Sequence, residues 1–148
     1  METNPLLETY LRQLHLPAFS KHYLSFAKDA AQENLDYPRY LLALVESEVQ
    51  TREQNRIQRR VKTARFPTHK ELADFDFSAL PSLNKARILD LARGDYIAKH
   101  ETLIFIGNPG LGKTHLAISL ALAACRMGRR VRFWTAAGLV NELLVAQE

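Results

Sequence analysis

The stretch LIFIGNPGLGKTHLAISLALAA, running from Leu103 to Ala124, decides how this chain is read. An apolar run meets a glycine-rich turn, then Lys113 and Thr114, then a second apolar run. Thr102 to Ile106 shows no apolar/polar alternation, the pattern of a buried parallel strand. Gly107 to Thr114 then fits G-x-x-x-x-G-K-[ST] at every fixed position. The pattern predicts a helix from Gly112 to about Met127 that stops at Gly128, a residue suited to a left-handed helix end. Val131 to Thr135 reads as a second strand, and Ala136 to Gln147 as the helix after it.

Each residue type in the loop has a chemical reason. Glycines let backbone N–H groups turn inward around phosphate oxygens without side-chain obstruction. A helix start adds free donors and a partial positive charge. Lys113 can set an ammonium between outer phosphates, Thr114 can offer its hydroxyl to Mg²⁺, and Pro109 stiffens the turn. The glycine spacing does not match G-x-G-x-x-G, which argues against a dinucleotide site. A hydrolytic site also needs a carboxylate at the end of another buried strand. The only acids beyond Lys113 are Glu142 and Glu148, both on the helical pattern, and Asp90 lies before the loop on another. The metal-holding acid is therefore not expected in this stretch. Arg126, Arg129, Arg130 and Arg132 are candidates for a trans-acting arginine, but they read first as solvated charge near a helix end.

Outward from the loop, the 148 residues carry a net charge of +4, and the excess is local. From Arg52 to Lys70 there are seven basic residues and one acid, whereas the remainder holds 13 basic and 15 acidic groups. The segment lies on a long helical pattern that opens at Asp36-Tyr37-Pro38 and runs to about Arg65. Leu41, Leu44, Val45 and Glu48-Val49 repeat in its first half, and Ile57, Val61 and Ala64 in its second. At 100° per residue, Arg52, Arg56, Arg59 and Arg60 share about one third of the circumference, with Lys62 and Arg65 continuing the charge. Such a face fits an anionic partner, DNA or RNA backbone first, or a solvated outer surface.

Two shorter helices are expected before it. Asn4-Pro5 opens the first, with Leu6, Leu7, Tyr10, Leu11 and Leu14 at helical spacing, and Pro17 opens the second, with Phe19, Tyr23, Phe26 and Ala27 on one side. After Phe66-Pro67 the chain to about Pro81 reads as a connector with a short helix inside, its Phe75 and Phe77 docking on a neighbouring surface or contacting a bound base. Ser82 is expected to cap a further helix that turns Leu83, Ala86 and Leu89 inward. The single cysteine, Cys125, excludes an intrachain disulfide and reads as a buried structural thiol. The five histidines show no ligand spacing. The apolar stretch near Leu116 to Cys125 is too short to span a bilayer, and the N-terminus has no secretory pattern, so a cytoplasmic chain without membrane partners is expected.

Three segments in order, YPRYLLALVESEVQTREQNRIQRRVKTARFP, FDFSALPSLNKARILDLA and LIFIGNPGLGKTHLAISLALAACRMGRRVRFWTA, resemble the IstB-type transposition helper ATPases of bacterial insertion sequences. These are relatives of the DnaC-type helicase loaders. The resemblance implies an α/β P-loop ATPase of the AAA+ class behind a small all-α domain. It divides the chain into residues 1–66, a basic helical domain; 67–101, a linker; and 102–148, part of the ATP-binding domain. It implies ATP and Mg²⁺ as cofactors, with contacts along Gly107, Asn108, Pro109, Gly110, Leu111, Gly112, Lys113, Thr114 and His115, the metal meeting Thr114. DNA, a transposase subunit and further copies of the chain are the implied partners, with Arg52, Arg56, Arg59, Arg60, Lys62 and Arg65 as the DNA or partner face. In that family the loop strand and the next strand in sequence are not neighbours, and roughly a hundred further residues carry the metal-binding acid, a sensor and an arginine finger. The chain is accordingly expected to be the N-terminal portion of such a protein. A helicase loader and a remnant that does not hydrolyse ATP remain the alternatives.

Overall fold

Three start signals legible in the sequence, two side-chain caps and one proline, open the first three helices. In the computed structural model, which describes residues 3–146, Asn4 Oδ1 accepts from the N–H groups of Leu6 (3.1 Å) and Leu7 (3.2 Å) and starts α1, Pro5–Gln13. Proline at its first position, where no N–H is needed, starts α2, Pro17–Gln32. Asp36 Oδ1 accepts from Arg39 N at 2.9 Å at the head of α3, Tyr37–Ala64. Packing divides the chain into two units, residues 1–56 and 57–148, and the division falls inside α3.

The first unit closes around Leu11, Tyr23 and Leu44, with Leu16, Phe19, Leu24, Phe26 and Tyr40 against them. Of the α1 stripe only Leu11 is buried; Leu6, Leu7, Tyr10 and Leu14 stay exposed. On α3 the inner positions are Leu44 and Glu48, whereas Leu41, Val45 and Val49 face solvent. Glu48 is 4% exposed, and its place is explained by the start of α2. Leu16 offers that helix no side-chain cap, so Glu48 Oε2 supplies one from α3, accepting from Ala18 N at 2.9 Å. Its other oxygen accepts from Arg52 Nε at 2.8 Å, and Arg52 Nη2 donates on to the His15 carbonyl at 2.7 Å. Glu48→Ala is expected to destabilise this unit by about 2 kcal/mol, because it strands a buried N–H and removes a charge-assisted bond. Urea denaturation followed by helical circular dichroism measures it; a change within about 0.5 kcal/mol, the size of an ordinary surface substitution, would contradict the role.

In the second unit α3 ends at Ala64, and the connector that follows folds into two 3₁₀ turns, Leu72–Asp74 and Phe77–Ala79, instead of the expected short helix. Asp76 caps the second turn by accepting from Ser78 N and Ala79 N. The next helix, α4 at Lys85–Leu91, is capped by Asn84, two residues after the Ser82 expected. The face turned inward carries Ile88, and the expected Ala86 and Leu89 are exposed. A short helix α5, Asp95–Ala98, follows the left-handed Gly94. Helix α6, Lys113–Arg126, is the centre of the unit and buries Leu116, Ile118, Leu120, Leu122, Ala124 and Cys125. Burial pushes the Cys125 thiol up, with Arg60 and Arg126 pulling the other way, as befits a structural cysteine.

The expected strands are not formed. Residues 102–106 and 131–135 carry no strand, and regular structure among the described residues is entirely helical. A strand exists through its ladder, and these two segments do not pair with each other or with another segment. Ile104 and Ile106 are accordingly 77% and 91% exposed. The second segment is taken up by the end of α3: Phe133 N donates to the Ala64 carbonyl at 2.8 Å, and Arg132 Nη1 to the Thr63 carbonyl at 3.0 Å. The last helix, α7, covers Ala136–Val145 behind a Thr135 cap; Gln147, where the sequence pattern ends it, and the acid Glu148 lie outside the described residues. No helix among the described residues is long and apolar enough to cross a membrane.

Candidate nucleotide site

Gly110 and Gly112 hold φ angles of 83° and 75°, the left-handed region in which L side chains are strained. At Gly110 an added Cβ would meet nothing within 4 Å, so the turn is open on that side. Gly112 is the N-cap of α6 and has no side chain to cap it, which leaves the first N–H groups of the helix for another acceptor. Lys113 Nζ donates to the carbonyls of Gly107 (2.8 Å) and Asn108 (2.7 Å). Two of the three ammonium donors thus fix the charge at the mouth of the loop, and the third remains for an anion. Thr114 is exposed beside it, while Pro109 and Leu111 complete the turn.

His115 has a different set of partners. Its Nε2 lies 2.8 Å from the Glu71 carbonyl, an oxygen that only accepts, so Nε2 carries the hydrogen. Its ring stands edge-on to Phe75 at 5.2 Å between centroids. The connector continues along α6: Ser119 Oγ donates to the Lys70 carbonyl at 3.0 Å, and Arg126 makes a two-pronged ion pair with the Glu71 carboxylate. Phe75 closes the strap at the head of the helix, where a Cβ on Gly112 would stand 2.6 Å from the ring. Phe75, Asp76, Ala79 and Leu80 from the connector and Gly110, Leu111, Gly112 and His115 from the loop line a recess of about 200 Å³. Spacing alone could not announce the Glu71–Arg126 pair, 55 residues apart, and Arg126 is engaged in it instead of being free helix-end charge.

The hydrogen bonds from Arg126 hold the Glu71 carboxyl below its ordinary value of 4.5, against the push of its partial burial, and His69 adds to the lowering. A carboxylate held low in the folded state adds stability above its unfolded value and loses it as pH falls through the folded value. The strap should therefore loosen on acidification below about 4.5. Hydrogen exchange over residues 70–77 across an acid series reads this directly. Glu71→Gln should abolish the added acid sensitivity, and an unchanged profile in that variant would refute the clamp.

The basic positions separate into groups. Arg52 is bonded within the first unit, and Arg56 lies 3.5 Å from Glu53. Arg59, Lys62 and Arg65 are exposed in the last turns of α3 and just beyond, and Arg60 is half-buried over Gly128. Glu142 is exposed on α7, and Asp90 faces Arg93 on the surface.

A left-handed glycine turn, an ammonium held at its mouth and an uncapped helix start define a protein of the P-loop class. The family model for the IstB-like ATP binding protein matches residues 9–148. The chain is 36% identical over 142 residues to a protein named as an ATP-binding protein of insertion sequence IS5376 in Geobacillus stearothermophilus, covering 96% of this chain and 57% of that one. It is 34% identical to the one named for IS21 in Pseudomonas aeruginosa, covering 96% and 54%. It is 37% identical to an insertion-sequence protein so named in Sinorhizobium fredii, covering 93% and 46%. The chain belongs to the IstB-like ATP-binding protein family, P-loop ATPases of the AAA+ class. It spans about half the length of these relatives.

Proposed function

We propose that this chain is the ATP-binding part of an insertion-sequence transposition helper that binds DNA and assists a transposase. The observation that carries the reading is the loop: Lys113 anchored on two carbonyls at the mouth of a turn that opens on an uncapped helix. The residues fit a nucleotide triphosphate, with backbone N–H groups of Gly110 to Thr114 and the Lys113 ammonium meeting phosphate oxygens. A bound Mg²⁺ neutralises phosphate charge, and the exposed Thr114 hydroxyl is the group of this chain that would face it. The recess beside Phe75 and Leu80 fits the flat, apolar part of the same ligand, which ties the connector to the nucleotide. His115 then serves by orienting the strap.

In the whole protein, residues 102–106 and 131–135 join a parallel sheet, which supports the reading because it would cover the exposed Ile104 and Ile106. Hydrolysis, self-association and the transposase contact belong to that longer protein. The basic end of α3 supplies the DNA face. Relatives named for insertion sequences favour this partner over a replicative helicase. The test is an ATP titration of this chain against Lys113→Ala, followed by DNA binding with and without ATP. Equal ATP affinity in the two proteins would remove the nucleotide assignment, and no DNA binding in either condition would remove the DNA one.

A further inference from the structure

The connector brings a carboxylate with a spare acceptor to the head of α6. At the turn Phe77–Ala79, Asp76 Oδ1 accepts from Ser78 N (2.9 Å), from Ala79 N (3.4 Å) and from the Ser78 hydroxyl. One oxygen thus takes all three donors and ties the side chain to its own backbone. The other, Oδ2, accepts no hydrogen bond among the described residues. The hydroxyl and N–H of Ser78 hold the carboxyl below its ordinary value, so it is ionised at neutral pH and acts only as an acceptor. Asp76 also lines the recess of about 200 Å³ that Phe75 and Leu80 form with Gly110, Leu111 and Gly112. A pocket for a whole small molecule holds roughly 300–1,000 Å³, so this one takes a single part of a nucleotide. Its aromatic wall is fixed: Phe75 meets Phe77 edge-on at 4.9 Å between centroids and His115 at 5.2 Å. A flat ring entering beside the loop meets that wall, apolar side chains and one anion.

We infer that Asp76 selects the base: its Oδ2 accepts from the amine at C6 of adenine and makes the recess specific for ATP. The inference rests on the reading that Gly107 to Thr114 holds a triphosphate, and it names the residue that chooses the nucleoside there. The loop itself cannot choose, because every nucleoside triphosphate offers it the same oxygens. Adenine carries a donor at C6, where guanine carries a carbonyl that an anion repels. Guanine has its own donors at N1 and N2, side by side, and a carboxylate meets such a pair with both oxygens. Here Oδ1 is already taken by Ser78 and Ala79, so one oxygen remains, which matches one amine.

The test titrates the whole chain calorimetrically with the Mg²⁺ complexes of ATP, purine riboside triphosphate, ITP and GTP. The parent chain is expected to bind ATP roughly five- to tenfold more tightly than purine riboside triphosphate, which lacks only the amine, the worth of one solvent-accessible hydrogen bond. Asp76→Asn is the decisive variant. Its amide oxygen keeps accepting from the N–H groups of Ser78 and Ala79, so its NH₂ takes the place of Oδ2 and turns an acceptor into a donor. ATP should then lose its advantage over purine riboside triphosphate, and ITP, with a carbonyl at C6, should gain on ATP. Asp74→Asn, the same charge loss two residues earlier and off the recess, should keep the parent's preference. Thermal melts by circular dichroism check that both variants keep the fold. If the parent chain binds ATP but Asp76→Asn ranks the nucleotides as the parent does, the Asp76 assignment is overturned while the nucleotide reading stands. Equal affinity of the parent for ATP and purine riboside triphosphate has the same consequence. A preference for GTP that Asp76→Asn abolishes would overturn adenine in favour of guanine. If the parent chain binds none of the four, the reading of the loop itself fails.

Discussion

Lys113→Ala should lower the ATP affinity of this chain by roughly ten- to a hundredfold, since a hydrogen bond to a charged group contributes about 1.5–3 kcal/mol. The loss is chemical and local. The ammonium is the one cation at the mouth of the loop whose position is fixed by the loop itself, through the carbonyls of Gly107 and Asn108. Alanine favours the first turn of α6, and both accepting carbonyls belong to exposed residues that water can satisfy. The melting temperature should therefore barely move. Isothermal titration with ATP and a circular-dichroism melt, run on the same preparation, separate the two effects. Arginine at the same position would keep the charge but not the compact point donor, so Lys113→Arg should recover affinity only in part. Full ATP affinity in the alanine variant would remove Lys113 from the site.

Gly112→Ala should be costly for two separable reasons. The residue sits at φ 75°, where an L side chain loses about 1–2 kcal/mol to its own backbone. The new Cβ would also stand 2.6 Å from Phe75, so the ring must move and the strap over the head of α6 must lift. Weakened ATP binding and faster hydrogen exchange over residues 70–77 should appear together. The double variant Gly112→Ala/Phe75→Ala removes the collision and leaves the backbone strain. Its destabilisation should therefore be smaller than the sum of the two single changes, by roughly 1 kcal/mol in a double-mutant cycle. Strict additivity would show that Phe75 and Gly112 do not share the contact.

The two outcomes bear on how nucleotide and connector communicate. His115 and Ser119 lie one turn apart on α6, facing the backbone of Glu71 and Lys70, and Arg126 reaches the Glu71 carboxylate two turns on. The helix that begins at the phosphate loop is thus bonded along its length to the segment leading out of α3. A ligand that pulls on the start of α6 acts on a surface already fixed to the connector.

Much of the local structure was legible in the residues. Asn4 and Asp36 mark helix starts because capping is a contact between near neighbours, Pro17 because a first helical position needs no N–H, and the Gly107 to Thr114 loop is legible because its pattern is carried by spacing. Ser82 was misleading: Asn84 supplies the acceptor that caps the helix, and packing, which the local pattern does not carry, turned Ile88 inward in place of Leu89. The apolar runs at 102–106 and 131–135 read as strands because composition reports a preference for burial, whereas a strand needs a partner in space.

From sequence alone follow the first three helix starts, the glycine-rich turn before α6, the buried Cys125 and the local excess of positive charge, since each depends on residues a few positions apart. Tertiary folding assigned the partners. It placed Glu48 as the cap of another helix, bound Glu71 to Arg126, tied Arg52 to Glu48 and the His15 carbonyl, and set Arg130 beside Arg59. A charged side chain takes its role from whatever the folded chain brings within about 4 Å, and that neighbour is 30 to 70 residues away for most of those pairings.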